Sequence, residues 1–183
     1  MIEEAGLLEG ARKGDADALA QIFDTYSPAL FRYAVRLCRD AAEADRIVGD
    51  VFAQLLEHLS DGRGPRSNLR SYLYQITYHV LVDHVRDASH VSPMDDALNV
   101  PDARLSVASQ VEEHEMVREL EYAVAHGLTP EQQQVVLLRF VEGFSLQETA
   151  QITGKKVNAV SVLQNRAIAK LRQVLGTKFG VGT

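Results

Sequence analysis

Apolar residues between Leu7 and about Leu59 recur at intervals of three and four, the period that gathers them on one face of an α-helix. Gly14, Pro28 and the Arg39-Asp40 corner mark breaks, and three helices fit the stretch. Leu19, Ile22, Phe23 and Tyr26 form one apolar face. Leu30, Tyr33, Ala34 and Leu37 continue it beyond Pro28. The strongest stripe is Ile47, Val48, Val51, Phe52, Leu55, Leu56 and Leu59, which predicts a helix buried along one side. Ser60 to Ser67 (SDGRGPRS) reads as an ordered loop, and helical periodicity resumes from Leu69 to Val85.

Between Ala88 and Glu112 the periodicity fades, Pro93 and Pro101 interrupt any helix, and acidic residues dominate. A flexible acidic linker is expected over 91–111, dividing the chain into helical domains at 1–90 and 112–183. A short helix is predicted from about Val111 to Ala125. The segment LTPEQQ then offers Thr129 as cap, Pro130 at the first helical position and Gln132 to close a capping box. That helix runs through Val135, Val136, Leu138 and Phe140 to a stop at Gly143. Beyond it, Ser145 and Glu148 repeat the capping-box spacing, Gly154 supplies a turn, and a longer helix begins near Val157. On that last helix Val160, Leu163, Ala167 and Leu171 share one face, while Asn158, Ser161, Gln164 and Asn165 lie elsewhere. Two helices joined by a short glycine turn read as a helix-turn-helix, which braces its second helix for the major groove.

Composition changes this picture in two ways. The net charge of −6 argues against a nucleic-acid partner until it is resolved along the chain. Residues 1–90 carry −4 and residues 91–125 carry −6, whereas residues 126–183 carry +4, so only the last piece is an electrostatic candidate for phosphate binding. The single cysteine, Cys38, excludes an internal disulfide framework and reads as a small buried hydrophobe on a helix. With no secretory leader pattern and no apolar run near the roughly 20 residues of a spanning helix, a cytoplasmic protein without membrane insertion is expected.

Catalysis has little to build on. His79 and His84 are five residues apart, not the four that align ligands on one helical face, and no glycine-rich phosphate loop or nucleophile motif is present. No cofactor and no enzymatic activity are expected.

Leu128 to Leu175 resembles the fourth conserved region of bacterial sigma factors, in motif order and helix length. The stretch LLEGARKGDADALAQIFDTYSPALFRYAVRL is similar to the opening helices of the extracytoplasmic-function (ECF) type, and AAEADRIVGDVFAQLLEHL to the helix that docks on core RNA polymerase. SNLRSYLYQITYHVLVDHVRD resembles the helix that opens and reads the minus-10 element. The resemblance implies an all-α chain that binds core polymerase and promoter DNA, restrained in many family members by an anti-sigma factor.

Carried over by position, Asp45, Arg46, Asp50 and Gln54 would form a polar polymerase-binding rim. Arg63, Arg66, Asn68, Arg70, Tyr74, Tyr78 and His79 would serve minus-10 recognition, where aromatic faces stack on unpaired bases and arginines hold phosphates. Lys155, Lys156, Asn158, Ser161, Gln164, Asn165, Arg166 and Lys170 would serve the minus-35 element, with Arg166 and Lys170 on phosphates. Departures from the family pattern are visible. Arg46 stands where an acidic residue is common, Tyr72 where a core tryptophan is usual, and His79 where asparagine is frequent. Asp87 interrupts a basic run, and Ser161 replaces a Lys or Arg. Two other readings stay open: a stand-alone helix-turn-helix regulator on a palindromic site, and a sigma-like adaptor that has lost promoter melting.

Overall fold

The computed structural model describes the backbone of residues 4–88 and 110–179 and the side chains of residues 4–83 and 117–176. It divides into two compact units, the first dominated by α-helices before the linker and the second by those after it, and every regular element among the described residues is helical. The expected linker lies outside the described residues up to position 109, as do the side chains of His84, Asp87 and His90.

The N-terminal unit has four helices: α1 (Glu4–Arg12), α2 (Ala16–Cys38), α3 (Ala41–Ser60) and α4 (Leu69–Ala88). Asp15 caps α2 by accepting from the amides of Asp17 (2.9 Å) and Ala18 (3.4 Å). The Arg39-Asp40 corner works in two halves. Arg39 takes a left-handed conformation (φ 59°) and donates its amide to the Val35 carbonyl, closing α2, and Asp40 accepts from the Glu43 amide at 2.9 Å to open α3. Pro28 does not break the chain, contrary to the sequence reading. It sits inside α2 on the exposed side, so the carbonyl one turn earlier, which proline cannot bond, faces water.

Helix α4 packs against both α2 and α3, and so buries an unusually wide face: Leu69, Leu73, Tyr74, Ile76, Thr77, Tyr78, Val80 and Leu81. Tyr74 meets Tyr33 of α2 with ring centroids 5.2 Å apart, and Thr77 returns its hydroxyl to the Leu73 carbonyl at 2.8 Å. Each fully buried side chain of this size stabilises the unit by about 1.5–3 kcal/mol.

The 61–68 connection is held from outside. Arg12 of α1 donates to the carbonyls of Gly64 (2.8 Å) and Pro65, and Glu4 accepts from the Leu69 amide (3.1 Å), an otherwise orphan donor at the start of α4.

The C-terminal unit comprises α5 (Gln110–Gly127), α6 (Pro130–Val136) with a π-helical continuation over Leu137–Val141, α7 (Leu146–Thr153) and α8 (Val157–Phe179). Both predicted capping boxes form. Thr129 and Gln132 exchange bonds of 3.0 and 3.3 Å, and Ser145 and Glu148 exchange bonds of 2.8 and 3.2 Å. Gly143 (φ 75°) and Gly154 (φ 64°) occupy the left-handed conformation that a side chain resists, one on each side of α7. Buried Gln133 donates to the carbonyls of Ala125 and Leu128 and so satisfies the end of α5.

Two small cores lock α8. Leu128, Val136 and Ala167 form one, with Val124 and Leu171 against it, and Val135, Ala150 and Val160 form the other, with Leu146 and Leu163. The predicted apolar face of α8 is the face that packs.

Replacing Arg12 with Ala removes charge-assisted bonds to two loop carbonyls. We expect the N-terminal unit to lose about 1–3 kcal/mol in urea denaturation, and unchanged stability would show that the loop holds its shape without α1.

Candidate nucleic-acid interface

Helix α8 has its buried seam at Val160 and Ala167, both with no exposure, and the opposite side faces solvent. Asn158, Asn165 and Arg166 are exposed there, Lys170 is exposed nearer the seam, three residues beyond Ala167, and Ser161 is partly exposed at the other flank. Lys156, in the turn before α8, is exposed as well. These side chains form one surface of amide, hydroxyl and cationic groups, the inventory that reads base edges and holds phosphates. Val162 lies at the centre of this surface and is 47% exposed. Reading the sequence for polar groups passed over it.

Two of the expected readers are already engaged within the protein. Gln164 sits at the flank of the buried seam, and its Oε1 accepts from Nε of Arg139 at 2.9 Å. The same guanidinium donates to the Phe144 carbonyl, so one arginine joins the π-helical segment, the corner before α7 and the reader helix. Gln164 therefore takes part in the brace through its oxygen, a bond that does not use its two amide N–H donors. Lys155 is half-buried and pairs with Glu131 at 2.6 Å, tying the turn before α8 to the first turn of α6. The π-helical segment that carries Arg139 has no signature in the residue pattern, which reads Val135 to Phe140 as continuous α-helix.

In the N-terminal unit two of the aromatics expected to serve minus-10 recognition are buried. Tyr74 and Tyr78 are 1% and 8% exposed, so neither offers a ring face to an unpaired base in this conformation. The reason is the double packing of α4, whose buried arc is wider than a one-sided stripe. Tyr72, expected in the core, is only partly buried, and its hydroxyl meets Nδ1 of His58 at 2.8 Å. Burial pushes its phenol pKa up. The accessible stripe of α4 runs from Tyr72 through Gln75 to exposed His79, and Gln75 had no distinguishing signal in the sequence.

The basic groups next to this stripe are unequal. Arg66 and Asn68 are exposed, and Asn68 holds a left-handed backbone (φ 56°) at the entry to α4. Arg70 lies 5.4 Å over the Tyr74 ring. Arg63 pairs with Asp61 at 2.5 Å and lies 3.9 Å from Glu57, so its charge is partly spent before any phosphate arrives.

Helix α3 presents Asp45, Arg46 and Asp50 to solvent and Gln54 partly, with Arg46 paired to Glu43 at 2.6 Å. Towards α4 this face opens into a shallow cavity of about 320 Å³ lined by Asp50, Ala53, Gln54, Glu57, Val80 and Asp83. Towards α2 it borders an apolar groove of about 230 Å³, where Phe23 and Phe52 meet at 4.7 Å and Leu56 is 46% exposed. Glu57 continues the rim along α3 itself, one turn beyond Gln54, and Asp83 joins it only through the packing of α4 on α3.

Cys38 closes α2 and is half-buried rather than buried. Burial pushes its thiol pKa up, and Sγ donates to the Asp40 carbonyl at 3.2 Å. Burial outweighs the lowering effect of backbone hydrogen bonding at Asp40, and the net upward shift disfavours a reactive thiolate at neutral pH. Among the described residues no cluster of metal-ligating side chains occurs, and no helix is long and apolar enough to cross a membrane.

Family models now add to this geometry. That for sigma-70 region 2 matches residues 22–91, covering α2 to α4, and that for sigma-70 region 4 matches residues 125–173, covering the capped helices and most of α8. The chain belongs to the sigma-70 family, in its extracytoplasmic-function branch. The ECF RNA polymerase sigma factor BldN of Streptomyces coelicolor is 28% identical over 176 residues, 92% of this sigma-family chain and 64% of BldN. The chain thus spans somewhat less than two thirds of that relative's length. The ECF RNA polymerase sigma factor SigX of Bacillus subtilis is 28% identical over 158 residues, 83% of this chain and 80% of SigX. Among solved structures, that of CnrH in complex with the cytosolic domain of CnrY matches with a TM-score of 0.69 at 23% identity, covering 93% of this chain and 96% of CnrH. That of RpoE with the anti-sigma factor NepR from Bartonella quintana matches with a TM-score of 0.67 at 21% identity, covering 85% and 95%. These likenesses support the all-helical fold of each unit.

The Arg139 brace can be tested in this sigma-family chain directly. Arg139→Ala leaves the Phe144 carbonyl and Gln164 without their shared donor. The C-terminal unit is expected to lose about 1–3 kcal/mol, read as an earlier urea midpoint for that unit alone.

Proposed function

We propose that this protein directs promoter-specific initiation by bacterial core RNA polymerase, as an ECF-type sigma factor. The observation that carries the reading is the solvent face of α8. Asn158, Asn165 and Arg166 are gathered opposite a buried Val160–Ala167 seam, with Lys170 exposed at its flank, in a chain whose two units match sigma regions 2 and 4 in that order.

In this proposal Asp45, Arg46, Asp50 and Gln54 of α3 dock on polymerase, joined by Glu57 and Asp83 around the shared cavity. Arg66, Asn68 and Arg70 hold single-stranded DNA next to the Tyr72–Gln75–His79 stripe, and Arg63 contributes less because Asp61 and Glu57 already draw on its charge. Asn158, Asn165 and Ser161 contact the upstream duplex element, while Lys156, Arg166 and Lys170 hold phosphates on either side.

Two weak DNA contacts act together when polymerase holds both units on one promoter, since the second contact is then made at high effective concentration. Free chain, with a net charge of −6, gains little from phosphates alone. The protein supplies binding and orientation and no chemical step, and its place is the cytoplasm, where polymerase works. An anti-sigma factor is proposed as a further partner, because RpoE, similar in fold, was solved bound to one.

A second reading has one observation in its favour. With Tyr74 and Tyr78 packed into the core, the minus-10 surface has few aromatic faces, which suits an adaptor that binds polymerase without opening DNA.

Run-off transcription with purified core polymerase on genomic fragments separates these readings. The sigma reading requires new start sites that depend on the chain, and an adaptor would bind polymerase and yield none. Once a promoter is in hand, changing Asn158 and Asn165 to Ala is expected to re-rank upstream elements by roughly ten-fold in initiation, given about 1–3 kcal/mol for each good base contact. Unchanged ranking would remove both residues from the base-contacting set.

A further inference from the structure

The α8 surface contains one side chain that the polar account does not use. Val162 is 47% exposed at its centre, with Asn158 one turn before it and Asn165 and Arg166 one turn after, all exposed. Folding gives no reason for a β-branched residue there. It buries little against the protein, and valine is a poorer helix former than alanine. A helix inserted in the major groove presents the mid-line of its exposed face to the base edges, and each base pair offers donors and acceptors there except at one place. The 5-methyl group of thymine is the one apolar group the groove displays. The short side chains beside Val162, Asn158 and Ala159 among them, allow the close approach that a valine needs to touch it.

We infer that Val162 is a specificity-determining residue that packs on a thymine methyl in the upstream promoter element. The inference rests on the sigma-factor reading and sharpens it, adding an apolar contact to a recognition surface otherwise built of amides and cations.

Deoxyuridine differs from thymidine only by that methyl group and so isolates the contact. Holoenzyme assembled from core polymerase and the full chain is given templates in which each thymine of the upstream element, on either strand, is replaced singly by uracil. At subsaturating template, one position is expected to lose about four-fold in initiation, the size of withdrawing one methyl from a buried apolar contact. The Val162→Ala protein, which should fold at least as well, is expected to be indifferent to uracil at that position. Wild-type indifference to uracil throughout the element would overturn the inference, and so would a Val162→Ala protein with unchanged uracil sensitivity. Failure of the holoenzyme to start at any promoter on unmodified templates is a different result, and it would overturn the sigma-factor reading itself.

Discussion

Helix α8 has one side to bury, and the rest of the C-terminal unit is arranged to bury it. Val160 and Ala167 are small enough to bring the helix against α5, α6 and α7 at close range, and Leu163 and Leu171 fill the margins. Reciprocal caps at Thr129 and Ser145 fix where α6 and α7 begin, and left-handed glycines at 143 and 154 fix how the chain turns between them. Arg139 closes the frame by bonding both the Phe144 carbonyl and the side of α8. A helix clamped this firmly along one side leaves the other as a rigid surface, and the proposed base contacts of short side chains such as Asn158 and Asn165 depend on that rigidity.

The N-terminal unit meets a different constraint. Its third and fourth helices must seal a core with α2 while leaving enough surface for partners. Helix α3 does so by burying a single stripe and exposing a continuous polar rim from Asp45 to Gln54. Helix α4 cannot, because it is packed from two sides, and little of it remains for solvent. A polar rim rich in acidic residues and a narrow exposed stripe are what this packing leaves, and in the proposed function the rim serves polymerase while the stripe shares DNA contact with the C-terminal unit.

Much of this was legible in residue order. Capping boxes, glycine turns and the α8 seam depend on local spacing, and each formed where the spacing put it. Pro28 misled because a proline is tolerated inside a helix where the lost bond faces water, and exposure is a tertiary property. The burial of Tyr74 and Tyr78 is not legible in the sequence because the width of a buried arc depends on how many neighbours a helix has, which periodicity alone does not encode. The Gln164 contact was hidden because Arg139 is 25 residues away, and the π-helical segment that carries it has no residue signature. Val162 carries no signal of its own in the sequence, because an exposed apolar residue amid polar neighbours fits neither the buried seam nor the polar set.

Footprinting on a single promoter tests the central claim most directly, with the chain alone, core polymerase alone and the two together. Protection of two separated segments, upstream and near the start site, only when both proteins are present is the predicted result. Equal protection of the upstream segment by the chain alone, arranged as symmetric half-sites, would contradict the account and mark the protein as an independent DNA-binding regulator.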